Sequence, residues 1–128
     1  MAINNPYEAE AKERWGDTDA YKISTSRVAN YSEADWEIQK AEQQAAVDMF
    51  IKAMNAGLPA DSSEAAEAAE AHRLQIDKWF YPCSHEMQSG LAQMYIADER
   101  FAKFYNDQAD GLAQYVHDAI ISNALNNI

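Results

Sequence analysis

Glu64-Ala-Ala-Glu67-Ala-Ala-Glu70-Ala-His72-Arg-Leu-Gln-Ile76-Asp-Lys-Trp79-Phe80-Tyr81-Pro82-Cys83-Ser84 is helical in composition and period up to its proline. Alanine and glutamate are strong helix formers, and Glu64, Glu67 and Glu70 stand at i, i+3 spacing on one exposed edge. His72, Ile76, Trp79 and Phe80 share an apolar face at the helical period. Pro82 disfavours helical backbone at the residue before it, so the helix runs from about Glu64 to Phe80 and stops. Ser84 then caps the next helix. No β-branched run interrupts this pattern anywhere in the chain.

Working outward, the same punctuation recurs. A short helix follows Pro6 and ends at Gly16, with Tyr7, Ala11 and Trp15 on one face. A second spans about Thr18 to Tyr31. Ser32 with Asp35 forms a capping box that opens a long helix ending at Asn55-Ala56-Gly57. Leu58-Pro59 breaks the chain, and Asp61 with Glu64 caps the helix quoted above. Ser84 opens a fifth helix to about Ala97, Asp98 a sixth short one, and Gly111 precedes a last helix ending near Asn126. The expected class is all-α, with about seven helices and no long linker.

The chain has 128 residues and a formal net charge of −11. That length predicts one domain with a real core. The acidity argues against a nucleic-acid surface, which needs clustered basic residues, and against docking on an acidic membrane. A single Cys excludes an intrachain disulfide and a cysteine-only metal site, which suits an intracellular, cytoplasmic protein. Met-Ala-Ile-Asn-Asn-Pro lacks the basic and apolar regions of a signal peptide, and no 18-residue apolar run is present.

Apolar residues are unevenly spread. From Phe50 onward they form core faces: His72, Ile76, Trp79 and Phe80; Met87, Leu91, Met94 and Tyr95; Leu112, Tyr115, Val116, Ala119 and Ile120. Residues 1–45 carry mostly amphipathic aromatics, too few to offset the ordering entropy of two short helices. A mobile N-terminal lid over residues 1–57, closing over a ligand, and a structured core at 58–128 are therefore expected.

Cys83 lies just before a helix N-cap, where unpaired N–H groups and the helix dipole favour a thiolate. Two readings stay open: a nucleophilic thiol at the mouth of an aromatic cleft, or a structural Cys in a tight turn. Trp15, Tyr21 and Trp36 sit on helices with few neighbours to bury them, which suits a pocket for a flat heterocycle. His72, His85 and His117 show no metal-binding spacing, and no Gly-rich phosphate loop or oxyanion arrangement can be read. No metal, cofactor or enzyme activity is expected.

Tyr-Glu-Ala-Glu-Ala-Lys-Glu-Arg-Trp-Gly-Asp-Thr-Asp-Ala-Tyr-Lys at 7–22 is distinctive. So are Ala-His-Arg-Leu-Gln-Ile-Asp-Lys-Trp-Phe-Tyr-Pro-Cys-Ser at 71–84 and Gly-Leu-Ala-Gln-Met-Tyr-Ile-Ala-Asp-Glu-Arg-Phe at 90–101. Together with the Trp36 helix, these segments resemble the TipAS domain, the antibiotic-recognition domain of MerR-type transcriptional regulators. The resemblance implies a globin-like helical fold without haem, whose cleft takes thiopeptide-like or other large heterocyclic antibiotics. It implies N-terminal helices that order over the ligand, and a Cys, here Cys83, that adds to a ligand dehydroalanine. It puts Trp15, Tyr21, His72, Trp79 and Tyr81 in or near the cleft; Phe80 and Tyr95 complete the expected ligand-binding set. The family's basic DNA-binding half has no counterpart in this sequence, so the domain is expected either to trigger transcription from a longer regulator or to sequester drug. A helical interaction or dimerisation module with no ligand is the alternative, with Trp15, Tyr21 and Trp36 as a flat patch.

Overall fold

The computed structural model describes residues 18–127. The expected helix after Pro6, with Tyr7, Ala11 and Trp15, lies outside them. Six helices follow among the described residues: α1 (Asp19–Val28), α2 (Glu33–Asn55), α3 (Ser63–Trp79), α4 (His85–Ala97), α5 (Glu99–Asn106) and α6 (Leu112–Leu125).

The helix ends show why these segments start and stop. Ser32 and Asp35 form both bonds of a capping box, at 3.1 and 3.0 Å. Ser84 accepts from Met87 N at 3.0 Å, and Asp98 from Arg100 N at 2.9 Å. The cap of α3 differs from expectation: Ser62, not Asp61, accepts from Ala65 N. The two residues are equivalent cap formers, so backbone register chose between them. Gly57 and Gly111 adopt φ of 76° and 78°, ending α2 and turning the chain into α6. A side chain at either position would be strained.

α3 packs between α2 and α6, while α4 rests on α6 and α5. Ala65, Ala68 and Ala69 of the alanine-rich run are fully buried. Their small side chains let Val47 and Phe50 of α2 and Val116, Ala119 and Ile120 of α6 close around α3 as one core. A buried amide pair, Gln39 Nε2 to Gln75 Oε1 at 2.9 Å, ties α2 to α3.

The core thus reaches into the second half of α2. By contrast α1 buries no residue. It is clasped to α3 instead: Arg27 Nη1 donates to Asp77 O at 2.7 Å, and the Tyr31 hydroxyl donates to Trp79 O. Both acceptors belong to the last turn of α3, where carbonyls have no intrahelical partner. An aromatic cluster supports the clasp. Tyr31 stands edge-on to Trp36 and Trp79 at 5.5 and 5.4 Å, and Trp36 tilts against Phe80 at 6.2 Å.

Candidate functional site

Because α1 stands off the core, an apolar cavity of about 470 Å³ opens beneath it. Thr18, Ala20, Tyr21 and Ser24 form its roof, and Tyr81 comes from the turn after α3. Met87, Gly90, Leu91, Met94 and Tyr95 of α4 form its floor, and Phe101 of α5 closes one end. The stretch Met87, Leu91, Met94, Tyr95 was expected to be a core face. Its helical spacing is as expected, yet three of its four residues stay incompletely buried and Met87 is 41% exposed. The floor is wide because α4 has no side chain at Gly90, where an added Cβ would meet nothing within 4 Å. A depression of about 490 Å³ over Met94–Arg100 is of similar size, but Asp98, Glu99 and Arg100 dominate its lining and it is open to solvent.

The cavity wall carries no ionised group near neutral pH among the described residues. Burial, and next the Cys83 charge, push the Tyr81 phenol up to about 12, and burial holds Tyr95 well above the usual range. Behind Tyr95 lies His72, 4% exposed, with its pKa pushed down to about 4 by burial. Gln88 Nε2 donates to Ala69 O at 2.8 Å and to His72 Nδ1 at 2.9 Å. That bond leaves the ring proton on Nε2, facing the Tyr95 hydroxyl at 3.2 Å and the Tyr105 hydroxyl at 3.5 Å. The imidazole therefore fixes Tyr95 and does not itself line the cavity. Such a wall accommodates a neutral, largely apolar, ring-rich ligand.

His72 also sets an acid limit. Its folded pKa lies below the ordinary 6.5, so the unfolded chain takes up the proton first. The stabilisation is complete above pH 6.5 and falls as pH drops toward 4, by about 1.4 kcal/mol per unit and on the order of 3 kcal/mol in all. Urea unfolding at pH 6.5 and 4.5 should show this slope in the wild type and lose most of it in His72→Gln. Glu70, whose pKa is lowered from 4.5 to about 2, contributes mainly below pH 4.5, at the foot of this range.

The remaining predicted residues separate in space. Tyr21, Tyr81 and Tyr95 meet in the cavity. Trp79 faces away from it: its Nε1 donates to Glu42 Oε1 at 3.2 Å, and Lys78 Nζ, paired with Glu42, stands 4.9 Å from its ring centroid. Phe80 belongs to the Trp36 cluster. Trp15 lies outside the described residues. Met87, Gly90, Leu91, Met94 and Phe101 were not foreseen as lining, and a glycine inside an amphipathic helix was the one signal available.

Of the two readings of Cys83, burial in a tight turn is the one its surroundings match. The thiol is 1% exposed, with Sγ 3.7 Å from Ser84 O, and its pKa is raised from 9.0 to about 11. Burial outweighs the Arg73 charge that favours the thiolate, and Asp77 and Glu70 add to the rise. Proximity to the helix N-terminus does not offset the loss of water around the sulfur. Its turn is pinned on both sides: Cys83 N donates to Asp77 Oδ1 at 2.8 Å, and Arg73 Nη1 donates to Cys83 O at 2.8 Å. Arg73 is itself held by Glu70, which also accepts from His85 and Asn123. The Arg73 hydrogen bond is the largest cause of the low Glu70 pKa.

The model of the TipAS antibiotic-recognition domain matches residues 7–123. This chain belongs to the TipAS family. The TipAS match extends to curated relatives: the HTH-type transcriptional activator TipA of Streptomyces coelicolor is 44% identical over 119 residues. That alignment covers 93% of this chain and 47% of TipA. The HTH-type transcriptional activator mta of Bacillus subtilis is 31% identical over 115 residues, covering 90% of this chain and 44% of the activator. This chain thus spans about half the length of these relatives. Among solved structures, Streptomyces lividans TipAS in complex with nosiheptide superimposes with a TM-score of 0.90 at 41% identity, covering 98% of this chain and 88% of that one. The antibiotic binding domain of a TipA-class multidrug resistance regulator gives 0.65 at 40% identity, over 70% and 95% of the two chains. The all-α, globin-like class implied by the sequence resemblance is the observed one. No helix of the described residues is long and apolar enough to cross a membrane.

Proposed function

We propose that this domain captures a thiopeptide-like antibiotic in the cavity beneath α1, and that capture is read out as drug sensing. The single observation that carries this reading is an uncharged, aromatic-edged cavity roofed by a helix that buries none of its own residues. A relative of 0.90 TM-score in complex with nosiheptide supports the ligand class. Tyr21, Tyr81 and Tyr95 are the contacts we assign first, with His72 positioning Tyr95. Trp79 and Phe80 act indirectly, by anchoring the clasp.

The lid of this reading is smaller than residues 1–57. Its described part reaches Ala45 at most, because Val47 and Phe50 are fully buried core residues and the buried Gln39 already ties α2 to α3. Placed beside a DNA-binding half in a longer chain, lid closure switches transcription; acting alone, the domain sequesters drug. The roof residue Tyr21 lines a concavity, which disfavours the ligand-free interaction module.

Capture is reversible first. Addition of Cys83 to a dehydroalanine joins sulfur to the β-carbon and delivers the thiol proton to the α-carbon, with nothing lost. With a protonated, buried thiol, that step waits for the Tyr81–Pro82–Cys83 turn to open. Amide exchange with and without nosiheptide is the test: protection is expected to rise at residues 18–45 within the binding time. Intact mass should gain one ligand mass only over a much longer incubation. Exchange at 18–45 that is unchanged by a saturating ligand overturns the lid.

A further inference from the structure

A second cavity, about 430 Å³, lies against the first. Tyr95 and Phe101 line both, so their rings are the partition between them. Its own walls are Gln43 of α2 and Arg100, Phe104 and Tyr105 of α5. We propose that the two cavities are lobes of one site, and that the second lobe takes a planar, neutral heteroaromatic arm of the ligand held in the first. This rests on the antibiotic-capture reading above.

The chemistry of the second lobe argues for that occupant. Phe104 is 42% exposed and stands edge-on to Tyr105 at 5.0 Å, so its ring is in part open to the lobe. Arg100 is held by both Asp98 carboxylate oxygens, at 3.1 and 2.7 Å, so its charge is already balanced and the lobe makes no demand for an anion. Gln43 gives its carbonyl oxygen to Gln39 at 3.1 Å, which leaves its amide N–H groups as donors for a ring nitrogen or carbonyl. A ring that stacks on Phe104 and offers one acceptor meets all three conditions.

The partition has a fixed and a movable side. Tyr95 is locked by the His72 hydrogen bond and by its packing on Tyr105, 5.1 Å between centroids. Phe101 is half-buried, tilts against Tyr95 at 6.2 Å and has no polar anchor. Phe101 is therefore the ring that swings aside when a ligand spans both lobes. Each lobe lies in the lower half of the roughly 300–1,000 Å³ that drug-sized ligands fill, and the two joined approach its upper end.

The test is an NMR structure of the whole domain with nosiheptide, joined to Phe104→Ala. Ligand ring protons are expected to contact both the Gly90 α-protons and the Phe104 ring. Phe104→Ala, its folding checked by thermal melting, should weaken nosiheptide by about tenfold or more. Contacts at one lobe alone, or unchanged affinity in a folded Phe104→Ala, overturn the two-lobed site and leave antibiotic capture standing. Absence of any contact, with no measurable binding by the wild type, overturns the capture reading and this inference with it.

Discussion

Gly90→Phe is expected to lower nosiheptide affinity by about 100-fold or more while the domain stays folded. The two halves of this result have separate causes. Helix α4 continues unstrained through Gly90, and a Cβ there meets nothing within 4 Å. Replacing a helix-interior glycine removes backbone freedom from the unfolded chain, which favours folding by roughly 0.5–1 kcal/mol for alanine. The phenyl ring then extends from the floor into a cavity of about 470 Å³ and takes the volume a ligand ring needs. Gly90→Ala is the control: slightly more stable, with near-normal binding. Calorimetric titration and thermal melting of the three proteins decide the matter. Wild-type affinity in a folded Gly90→Phe would move the binding site elsewhere.

Phe50→Ala tests the core that lies behind the cavity. The Phe50 ring is fully buried and stands 6.3 Å from the His72 ring. Deleting a buried Phe side chain costs about 3–5 kcal/mol through lost burial and the cavity left behind. Against a typical total of roughly 5–15 kcal/mol for a domain, that is a large share. Chemical denaturation should show it as a lower midpoint with unchanged slope. The result also bears on the lid, since a segment that leaves the core cannot include a residue whose truncation costs this much. Native-like stability in Phe50→Ala would restore residue 57 as the lid boundary.

What could be read from the sequence was the local grammar. Ser32 with Asp35, Ser84, Asp98 and Gly111 each announce a helix end through chemistry that acts within four residues. Class and family followed from them and from three distinctive segments. What escaped were properties decided by which surface meets which. Met87, Leu91 and Met94 have the spacing of a core face, and that spacing is identical for a cavity wall; only the stand-off of α1 separates the two. Trp79 and Phe80 close α3 while Tyr81 begins the turn after it, and only Tyr81 reaches the cavity. Cys83 kept two readings open for a related reason. Its place before an N-cap is local, whereas the burial that raises its pKa is set by the fold as a whole.

The clasp between α1 and α3 has an evolutionary corollary. Arg27 and Tyr31 grip the main-chain oxygens of Asp77 and Trp79, not their side chains. Every residue supplies such an oxygen, so the two hydrogen bonds do not depend on which side chains stand at 77 and 79, although the Trp79 ring adds its packing on Tyr31. The grip can be strengthened or loosened by changing two donors alone, with the core untouched. A lineage facing a new drug can thus reset how readily this roof lifts in one or two mutational steps, independently of the surfaces that recognise the drug.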